Sequence, residues 1–204
     1  MRKGRKFLCL LLCAVLLLSM SAAALGANNK YSSWFQTNYD EINKLGLMPE
    51  SFNGLDLTKN ITRGEMCELA VYAFEKATGN DIDMSNETFS GFTDTSDENI
   101  VKAHLYGIVN GYGSGLFGPN DPVTREQLAA ILYRYAVYGG MTAVTLEENL
   151  GSFADTAQLS AYAIQAMNWA VGQGLINGSG SNLVPKAQAT RAQVAAIIHR
   201  YLER

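Results

Sequence analysis

Three times along this chain a Thr-Arg pair opens an apolar run, with a glycine and two apolar residues standing 16 or 17 positions before the threonine. The pairs are Thr62-Arg63, Thr124-Arg125 and Thr190-Arg191, and the upstream triplets are Gly46-Leu47-Met48, Gly107-Ile108-Val109 and Gly174-Leu175-Ile176. A period of this size marks three copies of one supersecondary unit, each too small to bury its own apolar face. Each pair also has the grammar of a helix start. The hydroxyls of Thr62, Thr124 and Thr190 can accept from the N–H three residues on, while Glu65, Gln127 and Gln193 can reach back to the cap, which is a capping box written three times. Counting four, seven, eight and eleven from each threonine gives Met66, Leu69, Ala70, Ala73, then Leu128, Ile131, Leu132, Tyr135, then Val194, Ile197, Ile198, Tyr201. That spacing is one apolar stripe per helix.

A second helix is predicted before each glycine: residues 34–45 in repeat 1, with Tyr39, Ile42 and Leu45 on one side, and residues 159–173 in repeat 3, carrying Met167 and Trp169. Gly46, Gly107 and Gly174 then end these helices with a positive φ. Repeat 2 is shorter here, with 13 steps from Asp94 to Gly107 against 19 from Asp155 to Gly174, so its first helix should lose more than a turn. Loops rich in Gly, Asn and Pro join the helices, and connectors occupy 80–91 and 139–152. The expected fold is all-α: six main helices in three helix-pair repeats around one core, the Thr-Arg helices central, with an open solenoid as the alternative.

The first residues read as a removable leader rather than as part of the fold. Arg2, Lys3, Arg5 and Lys6 precede an apolar run at 7–18 and the small residues Ala22, Ala23, Ala24 and Gly26, the order of a secretory signal peptide cleaved after Gly26. The run is short for a membrane span, so no membrane insertion is expected after cleavage. The leader carries four of the 16 basic residues and none of the 19 acidic ones, so the remainder has 12 against 19 and a formal net charge of −7. An acidic body argues against nucleic acid as a partner held by a general basic field. Cys9 and Cys13 leave with the leader, and Cys67 alone can form neither an intramolecular disulfide nor a Cys-based metal site.

Phe92-Thr93-Asp94, Gly107-Ile108-Val109-Asn110-Gly111-Tyr112 and the run from Phe117-Gly118-Pro119 through Asn120-Asp121-Pro122-Val123-Thr124-Arg125 closely resemble the S-layer homology (SLH) repeat. Phe153-Ala154-Asp155 opens repeat 3 in the same way, and repeat 1, with Trp34 and Gly46-Leu47-Met48-Pro49-Glu50, is similar in a more divergent form. The resemblance places an SLH-like repeat at 27–79, 90–139 and 151–204. It implies a pseudo-threefold, three-pronged module that binds secondary cell-wall polymers, often carrying ketal-pyruvate, in grooves between prongs. It also implies a secreted protein associated with the cell wall or cell surface. By position, the polysaccharide contacts it implies are Arg63, Arg125, Arg191, Trp34, Gly111 and Tyr112. Repeat 2 lacks an aromatic matching Trp34, repeat 3 has Tyr162 there, Ser114 stands where the family often has Asp, and repeat 3 carries Gly178-Ser179-Gly180 in place of the Gly-Tyr loop.

The arginines invite an anion on physical grounds as well. Each sits in the first turn of a helix, where a cation opposes the macrodipole at a cost of about 0.3–1 kcal/mol, and an anion docked at the helix start would offset this. The alternative is a structural salt bridge to an acid of a neighbouring repeat. Trp34 and Tyr112 can stack on sugar faces or line a groove wall, whereas Trp169 in mid-helix reads as core. No cofactor and no metal are expected. His104 and His199 have no paired Cys or His at ligand spacing, and the Asp81-x-Asp83-x-Ser85 run has Asn86 and Phe92 where a calcium loop needs Gly and Glu. The expected function is non-catalytic anchoring to an anionic cell-wall polysaccharide. The alternatives are an envelope enzyme, or an adaptor for an unidentified protein partner, that uses the repeats for targeting. On the anchoring reading, Arg125→Ala weakens wall binding by about 1.5–3 kcal/mol and leaves folding nearly intact.

Overall fold

The computed structural model describes residues 29–84, 89, 91–139 and 148–203. The leader at 1–26 and, in the calcium-like run, Ser85 and Asn86 lie outside the described residues. Among the described residues six α-helices follow one another: α1 Gln36–Lys44, α2 Arg63–Thr78, α3 Glu98–Leu105, α4 Arg125–Tyr138, α5 Ile164–Gly172 and α6 Arg191–Leu202. The fold is all-α, and among the described residues only isolated β-bridges occur. No described helix is long and apolar enough to cross a membrane.

Local sequence explains the helix limits. α2, α4 and α6 each begin with a complete capping box, on Thr62 and Glu65, Thr124 and Gln127, and Thr190 and Gln193. Each such cap is worth about 1 kcal/mol. Gly46, Gly107 and Gly174 stand at φ of +62°, +69° and +60° after the first helices, where a Cβ would strain the backbone. α1 and α5 are entered through 3₁₀ turns at Ser33–Phe35 and Ala161–Ala163. α3 has no such turn. It starts on Asp97, whose carboxylate accepts from the N–H groups of Asn99 and Ile100, and its 8 residues stand against the 3 and 9 of the entry turn and α5 in repeat 3, the loss of more than a turn expected from the spacing.

The helix pairs are exchanged between repeats. α3 of repeat 2 packs on α2 of repeat 1, α5 of repeat 3 on α4 of repeat 2, and α1 of repeat 1 on α6 of repeat 3. The stripes of α2, α4 and α6 meet around a cavity of about 10 Å³ lined by Met66, Ala70, Ile131, Leu132, Tyr135, Ile198 and Tyr201. Edge-on rings continue the seam, Phe74 on Tyr135 and Tyr135 on Tyr201. Trp169 is core at 3% exposure. Leu45, predicted beside Tyr39 and Ile42, is 51% exposed; it keeps helical φ and ψ as the C-cap of α1, and the left-handed turn follows at Gly46. Cys67 is buried and unbridged, and burial pushes its thiol up to about 12.

Backbone hydrogen bonds close the repeats into a cycle. The N–H of Ile61 donates to the Ala189 carbonyl at 3.0 Å, that of Ala189 to Val123 at 2.9 Å, and that of Val123 to Ile61 at 3.1 Å. All three residues are buried. The helix starts are finished by the same neighbours. Arg63 and Gly64 donate their N–H groups to Asp121 and Pro119, Arg125 and Glu126 to Ala187 and Pro185, and Arg191 and Ala192 to Lys59 and Leu57. The first two amides of each of these helices, which an isolated helix leaves without partners, are therefore satisfied by the next repeat in the cycle.

The Phe-x-Asp openings of repeats 2 and 3 tie the loops. Asp94 accepts from the N–H of Phe117 and Gly118, and Asp155 from those of Leu183 and Val184. Val184 adopts φ +53° where repeat 2 has Gly118 at +70°, a strained conformation for a β-branched residue. The Gly118 and Phe117 amides hold the Asp94 carboxyl below its usual range. Desolvation opposes the same shift at Asp155, but the two loop amides outweigh it. Asp56 falls to about 2, chiefly through the Thr58 hydroxyl. With folded pKa values below unfolded ones near 4, the folded state binds fewer protons in that interval, so acid favours unfolding. The urea midpoint is expected to be flat above pH 5 and to fall as pH drops from 4 towards 2. Asp94→Asn should flatten part of that slope, and an acid limb unchanged in this variant would remove the loop tie from the explanation.

Candidate functional site

Each first-turn arginine reaches into the next repeat of the cycle. Arg63 is 6% exposed; its Nε donates to the Phe117 carbonyl at 3.0 Å and its Nη2 to that of Asn110 at 2.8 Å. Its guanidinium lies 4.4 Å from the Tyr112 ring centre and 4.3 Å from that of Phe117, within cation–π range of both. Arg125 repeats the pattern on the carbonyls of Leu183 and Asn177, both at 2.8 Å. Burial pushes its guanidinium below the ordinary value, against the pull of Asp155. Arg191 instead forks onto Glu65, at 2.9 and 2.7 Å, with a third bond to the Asp56 carbonyl.

These contacts correct the idea of an anion docked at each helix start. The first two amides of α2, α4 and α6 are occupied by carbonyls of the next repeat and the third by the capping threonine. At Arg191 the alternative reading holds, a salt bridge to an acid of a neighbouring repeat. Arg125 is an internal clamp on the loop of repeat 3, so Arg125→Ala would not leave folding intact. A carbonyl pair offers the Arg fork the same two acceptors as a carboxylate, which is why the residue type alone does not separate the two.

A groove of about 220 Å³ opens where repeats 1 and 2 meet, with Tyr162 of repeat 3 at its wall. It is lined by Arg63, Val109, Asn110, Gly111, Tyr112, Gln127, Ala130, Ile131, Arg134 and Tyr162. Arg63, Gly111 and Tyr112 thus come together, whereas Arg125, Arg191 and Trp34 do not line this groove. Gly111 is required for packing as well, since a Cβ there would meet the Leu116 carbonyl and the Phe92 ring within 3 Å. Tyr112 and Tyr162 are 55% and 54% exposed at its walls, and Trp34 is 52% exposed at the entry to α1.

Arg134 was missed in the sequence, although it follows Gln127 and Ile131 at seven and three positions, the spacing of one helix face. Among the described residues its guanidinium has no hydrogen bond or ion pair. Arg63 uses two of its five N–H donors on carbonyls. The groove therefore joins unspent guanidinium donors to two aromatic faces, a combination that suits an anion carried on a sugar. Glu126 was missed too. It is 4% exposed and accepts from the Ser160 N–H and hydroxyl, the Tyr162 hydroxyl and Lys186. Desolvation and the Glu126 charge push the Tyr162 phenol up to about 12, so it stays a donor at neutral pH.

Residues 98–129 and 152–195 match the S-layer homology domain. These segments belong to the S-layer homology family. The SLH segments cover α3 with the start of α4, and the chain from before α5 to the start of α6; repeat 1 lies outside them and joins them through the hydrogen-bonded cycle. The chain is 34% identical over 155 residues to an amylopullulanase of Thermoanaerobacterium thermosulfurigenes, covering 72% of this chain and 8% of that protein. It is 33% identical over 156 residues to exoglucanase XynX of Acetivibrio thermocellus, covering 72% and 13%. Against the surface-layer 125 kDa protein of Lysinibacillus sphaericus it is 28% identical over 211 residues, covering 98% and 17%. The chain thus spans less than a fifth of the length of these relatives. SLH domains are cell-wall anchoring modules, and the family assigns this chain to the cell surface.

Proposed function

We propose that this chain is a non-catalytic anchor that holds an anionic, pyruvylated secondary cell-wall polysaccharide in the groove between repeats 1 and 2. In this reading the leader at 1–26 directs export, and repeats at 27–79, 90–139 and 151–204 form a pseudo-threefold, three-pronged bundle. The observation that carries it is Arg134, a cation with no hydrogen bond or ion pair among the described residues, in a groove walled by Tyr112 and Tyr162. A groove of 220 Å³ is smaller than the roughly 300–1,000 Å³ of sites that enclose drug-sized ligands, so it takes one part of a longer polymer. A carboxylate on that part would meet Arg134 and the remaining donors of Arg63, while the sugar face lies against the tyrosines.

Sedimentation with purified cell walls, before and after chemical removal of the secondary polymer, tests this. Arg134→Ala is expected to weaken wall binding by about 1.5–3 kcal/mol, the range for a charge-assisted hydrogen bond, with an unchanged melting temperature. Equal binding by the variant, or equal binding of the wild type to stripped walls, would overturn the reading.

A further inference from the structure

His199 is 1% exposed, and neither ring nitrogen has a hydrogen-bond partner among the described residues. A buried polar group in that state calls for an explanation. The ring lies between two carboxylates: Nε2 is 3.4 Å from Glu203 Oε1, and Nδ1 is 4.0 Å from Glu41 Oε2. Glu203 stands one helical turn after His199, so the two share a face, and Glu41 reaches them from α1 across the α1–α6 contact. One ligand atom from each of the three lies within 4.8 Å of the other two.

We propose that His199, Glu41 and Glu203 form a binding site for a divalent transition metal of the Zn²⁺ class. One imidazole nitrogen and two carboxylate oxygens are a donor set for such ions, whereas calcium and magnesium favour oxygen alone. Bonds of about 2.0–2.2 Å need the Glu41 oxygen, 4.0 Å from Nδ1, to move in towards the ring. Movement is open to both carboxylates, since the Glu41 and Glu203 side chains are 52% and 55% exposed. Water would complete the shell. A bound cation also neutralises Glu203, a carboxylate placed at the C-terminal end of α6, where the helix macrodipole disfavours negative charge. The site would pin repeat 1 to repeat 3 at the seam where the cycle closes with no direct chain connection. Residues 41 and 199 are too far apart in the chain to show as a ligand motif.

The test uses the full chain, stripped of metal by chelation and titrated with ZnCl₂ by calorimetry and thermal unfolding, with Co²⁺ absorption reporting the ligand set. One equivalent of Zn²⁺ is expected to bind and raise the melting temperature. Glu41→Gln and Glu203→Gln, at exposed positions, should fold normally and lose at least tenfold in affinity. His199→Gln should abolish the visible absorption bands of bound Co²⁺; where it fails to fold, the two glutamate variants decide. No binding by the wild type, or equal affinity in Glu41→Gln and Glu203→Gln, would overturn the site.

Discussion

Arg63→Ala is expected to lower the unfolding free energy by about 3–4 kcal/mol, a large loss for one side chain of a fold this size. Two hydrogen bonds from a charged donor, to Phe117 and Asn110, contribute about 1.5–3 kcal/mol each, and some of that returns as water reaches the Asn110 carbonyl. The Phe117 carbonyl has less recourse, since that residue is fully buried. The guanidinium also loses its contacts with the rings of Tyr112 and Phe117, worth about 0.5–2 kcal/mol depending on solvation. Arg63→Lys should recover less than half, because an ammonium cannot reproduce the planar fork. Urea denaturation measures both through a lower midpoint at constant slope. A loss below about 1 kcal/mol would mean that the cross-repeat clamp is not what joins repeats 1 and 2.

The features legible in the sequence are those whose physics is local. A capping box spans four residues, a stripe repeats every three or four, and a terminal glycine marks its own helix end, so Thr62, Thr124, Thr190 and the stripes from Met66 to Tyr201 could be placed directly. The arginines could be singled out but not assigned. Their acceptors are backbone carbonyls 47 to 58 residues away for Arg63 and Arg125, and a carbonyl belongs to every residue type. The exchange of helices between repeats is silent for the same reason, because an apolar stripe does not name which stripe it meets. Glu126 reads as an ordinary acid in the first turn of α4. Only the fold brings Ser160, Tyr162 and Lys186 to it.

Glu126→Ala is the second substitution expected to act strongly, by about 2–3 kcal/mol on folding, and it links stability to the groove. Desolvation alone would raise its carboxyl, yet Lys186 and Ser160 hold it below the usual range, so the ionised form is the one the fold uses. Removing it strands the Ser160 amide and frees the loop that enters α5. The Lys186 ammonium, half exposed, recovers its solvation and moderates the loss. Glu126→Gln should cost less, about 1–2 kcal/mol, because an amide keeps one acceptor for Ser160 or Tyr162 but can turn a donor towards Lys186. Wall binding separates positioning from general destabilisation. Tyr162 projects into the groove while its hydroxyl is held at 3.3 Å by Glu126. Glu126→Ala should therefore weaken binding in the wild-type background but add little to Tyr162→Ala, a coupling that a double-mutant cycle reads directly. Fully additive effects would show that Glu126 supports the fold without placing the tyrosine.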